Sequence, residues 1–255
     1  MLLGKSSFRL SKGPVINSCS TLFEAGAGTT AAMMMSWVLC MVLHLEEYKK
    51  LQREIDGVVG DKRLPDFNDL PKLPRVRAVV KETLRWRPVS AGGLPHFSTK
   101  DDVYEGMFIP AGTNIHPNQW AIHRDPSLYP DPETFLPSRW LDAGYPTYRE
   151  PLTQYPNIIN YSSFGFGRRI CPGQHIAERS LNILVARIAW ACDITKKIGA
   201  DGKEIKVPLY DYVSGFNVQP KPFAFDLKAR NEERWQVVRK DYERAKENDP
   251  LKNRT

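Results

Sequence analysis

The sequence lacks the cysteine and charge patterns that identify several classes of binding protein. Its four cysteines form no C-x-x-C pair, which argues against a zinc ribbon, a thioredoxin-type site and a c-type haem attachment site. The formal charge of +7 is scattered, with no basic block or zinc-finger spacing, so nucleic acid is not expected as a partner. No internal repeat is present. The 255 residues, 42% hydrophobic and 25% charged, predict a globular protein with a sizeable core.

The N-terminal segment also lacks the long apolar run of a secretory signal, so the thiols are expected to be reduced. Ala25–Leu43 carries no charge and approaches the ~20 residues of a membrane span. Its small and polar opening, A-G-A-G-T-T, and the charged residues on both sides favour a buried helix instead. No transmembrane anchor is therefore expected, and a membrane-spanning protein stays open as an alternative.

The patterns along the chain predict a mainly helical protein with small β-sheets. Helices are expected at residues 20–57, 75–85, 174–190 and 230–249, a hairpin around 103–113, and short strands within 202–227. Arg87-Pro88 should end the second helix, because proline cannot continue it. Residues 140–163 show no periodicity and are expected to form a long loop. Apolar stripes are expected at Ala177, Leu181, Leu184 and Ile188 of the third helix, and at Trp235, Val238, Tyr242 and Ala245 of the last.

One decapeptide, Phe164 to Gly173, carries most of the chemical information. It contains F-x-x-G-x-R-x-C-x-G, with Phe164, Gly167, Arg169, Cys171 and Gly173 at the fixed places. A chance match in this length is on the order of one in ten thousand. Cys171 directly precedes a predicted helix, whose free N–H groups and dipole should stabilise a thiolate. The pattern therefore predicts a metal-binding thiolate rather than a buried structural cysteine.

This decapeptide resembles the haem-binding signature of the cytochrome P-450 family, of the fungal, microsomal type. The resemblance implies that Cys171 is the ligand to haem iron, where a thiolate favours O–O cleavage. The two glycines let the backbone approach the porphyrin, and Arg169 can pair with a propionate. Phe164 can shield the sulfur from water.

Other segments resemble the family in the same order. Glu82 and Arg85 match its E-x-x-R helix, and Arg139 matches the second arginine of a buried network beneath the haem. An ordinary surface ion pair is the alternative for Glu82 and Arg85. His96 resembles a basic residue that reaches a propionate, and a solvated turn histidine is equally compatible with the pattern.

The segment Ala25 to Thr30 resembles the family's oxygen-activating helix. Thr29 matches the hydroxyl that helps deliver protons to oxygen, with back-bonding to its own helix as the alternative. Gly28 stands where the family usually has an acid, and Glu24, one turn earlier, is a candidate substitute. The family's substrate-facing positions correspond to residues that are apolar or small: Phe23, Ala27, Gly92, Gly93, Leu94 and Phe216.

The resemblance implies the C-terminal half of the family's fold: oxygen-activating helix, E-x-x-R helix, small hairpin sheet, cysteine loop and proximal helix. Residues 1–19 stay unassigned, 20–229 form the haem-thiolate domain, and 230–255 form a charged helical tail. Because family members are roughly twice as long, a truncated chain is expected.

The implied function is monooxygenation of a lipophilic small molecule, with haem b as cofactor and NADPH electrons supplied through a flavoprotein reductase. A non-catalytic haem-binding fragment is the alternative. The sequence itself leaves the location open; the resemblance suggests the cytosolic face of the endoplasmic reticulum, although neither anchor nor signal peptide is seen in this sequence.

Overall fold

The computed structural model describes residues 12–249. Within this range the helices are α1 (Lys12–Leu43), α2 (Leu45–Val59), α3 (Pro74–Trp86), the single-turn α4 (Gln119–Ile122), α5 (Gln174–Ala191) and α6 (Glu232–Glu247). The strands are β1 (His96–Phe97), β2 (Asp102–Tyr104), β3 (Met107–Ile109), β4 (Asn114–Ile115), β5 (Cys192–Lys196) and β6 (Phe225–Ala229). They pair antiparallel as β1–β4, β2–β3 and β5–β6. The prediction of a mainly helical protein with small sheets is confirmed.

The predicted single helix over residues 20–57 is wrong at both ends and in the middle. The helix begins at Lys12, breaks at His44, and resumes as α2, which ends before Gly60 at φ 73°. His44 leaves helical angles because its ring stacks on Phe135, with centroids 5.2 Å apart, and meets Trp86 edge-on. These are tertiary contacts, which no local pattern reveals.

The core lies where the second half of α1 packs with α2, α3 and α5. Trp37, Leu51, Val79, Val185 and Trp190 are among its completely buried side chains. In the part of the chain that the structure describes, Val15–Leu43 is long and apolar enough to span a membrane by length and composition, a test that core helices of soluble proteins also pass. Its first half is exposed and its second half is buried, so the expectation of a buried helix holds only for about residues 32–43.

The predicted apolar stripe of α5 is only partly correct. Leu181 is buried, but Leu184 is exposed, and the core face continues through Val185 and Ala189. The α5 face is rotated because it packs against both α2 and α3, so that Asn182, Ala186 and Trp190 are buried as well. The predicted face of α6 is also partly wrong. Val238 packs on the core, but Tyr242 and Ala245 are exposed, since only the first turns of α6 meet the domain.

Strands in the C-terminal region are fewer than predicted. Residues 202–227 contain mostly loop, with isolated bridges at Ile198–Glu204 and Tyr212–Pro220 and the start of β6. The β6 strand pairs with β5, which the sequence analysis did not identify. The hairpin is confirmed, with Val103 opposite Phe108, and the 140–163 stretch forms turns without a regular helix or strand longer than one 3₁₀ turn.

Candidate active site

A fully buried carboxylate, Glu82, organises one side of the site. Glu82 is 0% exposed, as are Arg85 and Arg139. Arg85 donates to Glu82 from Nε at 2.9 Å and from Nη2 at 2.7 Å, and Arg139 Nε donates at 3.1 Å. The Trp140 indole and the Leu136 amide donate to the same carboxylate, each at 2.9 Å. The carboxylate thus receives five donors, as a buried anion requires.

The arginines of this network have their remaining donors satisfied by backbone carbonyls. Arg85 Nη1 reaches the oxygens of His123 and Pro132, and Arg139 Nη1 reaches that of Pro130 at 2.9 Å. Burial disfavours the charge on Arg85, but Glu82 outweighs it and holds the pKa of Arg85 above its ordinary value. The structure therefore brings Glu82, Arg85 and Arg139 together, while their role beneath a haem stays a prediction.

The cysteine loop precedes α5 and folds back on itself. The Cys171 amide donates to the Phe164 carbonyl at 2.8 Å, closing the loop that holds the decapeptide. Gly165 and Gly167 have φ of 82° and 64°, in the left-handed region that side chains disfavour. Gly173 is the N-cap of α5 and brings no capping side chain. The first-turn amides of α5 therefore stay free of a side-chain cap directly after the thiol.

The three polar side chains predicted to contact the cofactor share a lack of polar protein partners. Cys171 is half-buried, and Arg169 and His96 are exposed. Within residues 12–249 the Cys171 sulfur, the Arg169 guanidinium and the His96 imidazole make no hydrogen bond or ion pair. Phe164 packs against the core, whereas Phe166 beside it is exposed. A thiol and a guanidinium without protein partners, in the same loop as an exposed aromatic ring, fit a ligand with an apolar body and a charged edge.

The first half of α1 carries the predicted oxygen-side residues on an exposed surface. The Thr29 hydroxyl donates to the Ala25 carbonyl at 3.0 Å, which is the back-bonding alternative. Glu24, Ala27 and Phe23 are exposed, the last by 79%. A Cβ built at Gly28 meets nothing within 4 Å, so the absence of a side chain here is not required by close packing.

Two loops with predicted substrate-facing residues lie side by side. The Val218 amide donates to the Val89 carbonyl at 2.8 Å, and the Ser90 hydroxyl donates to Asn217 Oδ1 at 3.0 Å. The Tyr212 hydroxyl reaches Ser36 Oγ of α1 at 3.3 Å.

The predicted residues in these loops differ in their surroundings. Leu94 is 54% exposed and Phe216 is 55% exposed, while Gly92 is open to solvent. Gly93 differs, because a Cβ there would lie 2.3 Å from the Pro117 carbonyl oxygen. The backbone at Gly93 is therefore in close contact with Pro117.

A buried histidine beside the cysteine loop was not predicted from the sequence. His123 is 0% exposed, and its Nε2 lies 2.7 Å from Ser162 Oγ, just before the cysteine loop. Its ring stacks on Tyr161 at 5.0 Å with a 5° interplanar angle. Burial, reinforced by Arg85 and Arg124, lowers the pKa of His123 to about 3, so the ring is neutral. No signal in the sequence distinguishes His123, which is a histidine in a proline-rich stretch.

Lys81 was also missed, and it lies over two rings of the same cluster. Its Nζ is 4.7 Å from the Trp140 ring centroid and 4.9 Å from that of Tyr161. Burial, together with nearby Arg149, lowers the pKa of Lys81 to about 8. The cluster therefore joins the Glu82 network to the cysteine loop through aromatic contacts.

Comparisons with known proteins agree with this architecture. The model of the cytochrome P450 family matches residues 3–207, including part of the segment left unassigned above. A cytochrome P450 monooxygenase of Armillaria gallica is 42% identical over 88% of this chain and 43% of its own length. The cytochrome P450 monooxygenase psoD of Aspergillus fumigatus is 37% identical over 93% of this chain and 46% of its own length.

A solved zebra fish cytochrome P450, in a structure with abiraterone, superposes with a TM-score of 0.75 at 28% identity. The match covers 89% of this chain and 52% of that one. The chain thus spans about half the length of the relatives it matches. A match over most of the chain to the family model, with a shared fold, establishes that this protein belongs to the cytochrome P450 family.

Proposed function

We propose that this chain forms the haem-thiolate half of a monooxygenase, with Cys171 as the ligand to the iron of haem b. The observation that carries the proposal is the half-buried Cys171 thiol, which has no hydrogen bond to the described residues and lies directly before the uncapped start of α5. Bound haem supplies an iron centre that activates dioxygen with electrons from NADPH, so that one oxygen atom enters the substrate. A flavoprotein reductase is the proposed electron donor.

The chain's own residues hold the group and exclude water from one side. Gly167 allows the loop to turn. The Phe164 ring packs on the core, and the Phe164 carbonyl accepts a hydrogen bond from the Cys171 amide. Arg169 and His96 are free to donate to carboxylates of the porphyrin, because neither is committed to a described partner. The Glu82 network holds the backbone of Leu136 and, through Arg85, that of His123 in place.

The first half of α1 offers groups that could hold protons. The Thr29 hydroxyl donates to Ala25, so its lone pairs stay available to accept a hydrogen bond from water. Glu24 is the nearest acid on the same helix face, in place of the small Gly28. Phe23, Ala27, Leu94 and Phe216 offer an apolar surface, which suits a lipophilic substrate.

The test of ligation is the red-shifted absorption band of a thiolate-bound haem, after haem reconstitution, reduction and addition of carbon monoxide. Cys171→Ala should abolish the band, because the ligand is removed. Cys19→Ala is the matched control, since Cys19 is an exposed cysteine outside the loop, and it should keep the band. A band that persists in Cys171→Ala contradicts the assignment.

One observation favours haem binding without efficient turnover by the 255-residue chain. The first half of α1 is exposed, so water reaches the residues proposed to face oxygen. Catalysis of this kind needs a dry site and a metered proton supply. With a reductase present, NADPH oxidation by the chain should therefore release mostly peroxide rather than product. Adding the upstream half of a close relative should raise the product-to-NADPH ratio more than Gly28→Asp does. Tight coupling in the chain alone contradicts this part of the proposal.

A further inference from the structure

His123 lies between the buried charge network and the cysteine loop. Its backbone carbonyl accepts from Arg85 Nη1 at 3.0 Å, which ties it to the partner of Glu82. Its ring Nε2 lies 2.7 Å from Ser162 Oγ. One residue therefore contacts both parts of the site, through its backbone on one side and its side chain on the other.

Ser162 begins the short turn that supports the cysteine. The 3₁₀ turn Ser162–Phe164 ends in the carbonyl that accepts from the Cys171 amide at 2.8 Å. A hydrogen bond that fixes Ser162 therefore restricts the orientation of the Phe164 carbonyl two residues later. Tyr161 is also held from the same side, because its ring lies flat on His123.

We infer that His123 is a positioning residue for the thiol: its hydrogen bond to Ser162 fixes the turn that holds Cys171 in place. The functional meaning rests on the proposed role of Cys171 as an iron ligand. The mechanical part concerns the chain alone. Nδ1 of His123 is buried without a partner in the described structure. The contact with Ser162 is therefore the polar contact that fixes the orientation of the imidazole ring.

The neighbouring charges keep the ring in the form that this role requires. Arg85 and Arg124 are the charged groups that most oppose a proton on His123, and burial acts in the same direction. A neutral ring stacks on Tyr161 and exchanges one hydrogen bond with the serine hydroxyl. Because the ring is neutral, it forms no ion pair that would compete with its hydrogen bond to Ser162.

Three substitutions separate the hydrogen bond from the stacking contact. His123→Phe keeps an aromatic ring against Tyr161 but cannot bond Ser162. Ser162→Ala removes the same bond from the half-buried partner and leaves His123 in place. His123→Gln places an amide near the position of Nε2 and should restore the bond.

The experiment is amide hydrogen exchange of the haem-free 255-residue chain, resolved at the Cys171 amide and across α3. His123→Phe and Ser162→Ala should each speed exchange at Cys171 by about tenfold, the effect of losing one typical hydrogen bond. The double variant should add nothing further, His123→Gln should stay near the wild-type rate, and α3 should not change. If His123→Phe does not fold, Ser162→Ala decides alone.

The inference is overturned if Cys171 exchanges at the wild-type rate in Ser162→Ala, if only one of two folded variants has an effect, or if α3 accelerates equally. Reconstituted His123→Phe should in addition lose part of the carbon monoxide band of thiolate ligation, with His123→Gln retaining it. Failure of the proposed function is seen separately, as a band that survives Cys171→Ala while the exchange result stands.

Discussion

The side chains around Glu82 and those around Cys171 are neighbours in the fold but differ in how the chain satisfies them. Glu82 is completely buried and receives five donors from four residues of this chain. Cys171, Arg169 and His96 make no side-chain hydrogen bond within the described residues. The first group stabilises the fold without a ligand, and the second is free for one. Stability and ligand binding should therefore respond to different substitutions.

The largest expected effect is the loss of the charge at the centre of the network. Glu82→Gln keeps the size of the side chain but leaves Arg85 and Arg139 without a counter-charge, at a cost of ~3–5 kcal/mol in the free energy of unfolding. Urea unfolding of the haem-free chain measures this cost. Glu46→Gln is the control, because Glu46 pairs with Lys49 at the surface and its loss should leave the midpoint unchanged. Equal stability of the two variants would show that the network is not the centre of the fold.

A second effect is expected from acid, through the same cluster. The pKa of His123 is lowered from 6.5 to about 3 in the fold, so the unfolded chain binds the proton first as pH falls. The free energy of unfolding is therefore unaffected by this histidine above about pH 6.5. It falls progressively below that pH, and the loss reaches about 2 kcal/mol at pH 5.

His123→Phe has no proton to bind, so the difference in stability between wild type and variant should shrink as pH falls from 7 to 5. Other titrating groups, including His44, whose pKa burial also lowers, contribute to both proteins and cancel in the comparison. Denaturation curves at several pH values measure the difference. A pH-independent difference would mean that the His123 ring is not held neutral in the fold.

A smaller loss of stability is expected when Asp56, a carboxylate in ion pairs nearer the surface, is replaced. Asp56 binds Arg230 at 2.6 Å and Arg234 at 2.9 Å, which fastens the start of α6 to α2. Burial raises the pKa of Asp56, but the two arginines outweigh it and hold that pKa below its ordinary value. Because Asp56 is about one third exposed, Asp56→Asn should cost only ~1 kcal/mol. Limited proteolysis within α6 should quicken, whereas Asp211→Asn, at an exposed ion pair, should have no such effect.

The smallest stability change is expected on the open side of the site. Arg169→Ala should leave the unfolding free energy of the haem-free chain within ~0.5 kcal/mol of wild type, because no described partner is lost. The same substitution should weaken haem binding severalfold, measured by haem titration. Arg168→Ala is the matched control, since Arg168 is an exposed neighbour outside the motif. A large loss of stability in Arg169→Ala would show that the guanidinium serves the fold rather than a ligand.

Local sequence patterns were sufficient to predict the helices and strands whose ends are set by nearby prolines and glycines. Pro74 and Arg87-Pro88 bound α3, and Gly106 lies in the turn of the β2–β3 hairpin, so both were predicted closely. The break at His44 and the exposure of Leu184 depend on packing against other elements. The pairing of β5 with β6 joins residues about thirty or more positions apart, such as Cys192 and Ala229, and no local periodicity indicates such a partner.

The site divides in a similar way. The roles proposed for the residues around Cys171 come from a fixed spacing within one loop, which the sequence displays directly. The contacts of Glu82 with Arg139 join residues 57 positions apart, and only the resemblance to a family pointed to them. His123 could not be predicted, because its importance arises from Ser162 and Tyr161, which the fold brings against it. A single histidine in a loop has no pattern that distinguishes it from a solvated one.

The backbone hydrogen bond between the loops that contain Val89 and Val218 affects which substitutions the surface tolerates. Val218 and Val89 are joined through main-chain atoms, and Gly93 rests against Pro117 in a conformation that excludes a side chain. Neither contact depends on which side chains stand at Gly92, Leu94 or Phe216. Mutations at those three positions can therefore alter the shape and polarity of the surface while the loops keep their course. A library of variants that tests the proposed substrate-facing role should vary these three positions and leave Gly93 unchanged.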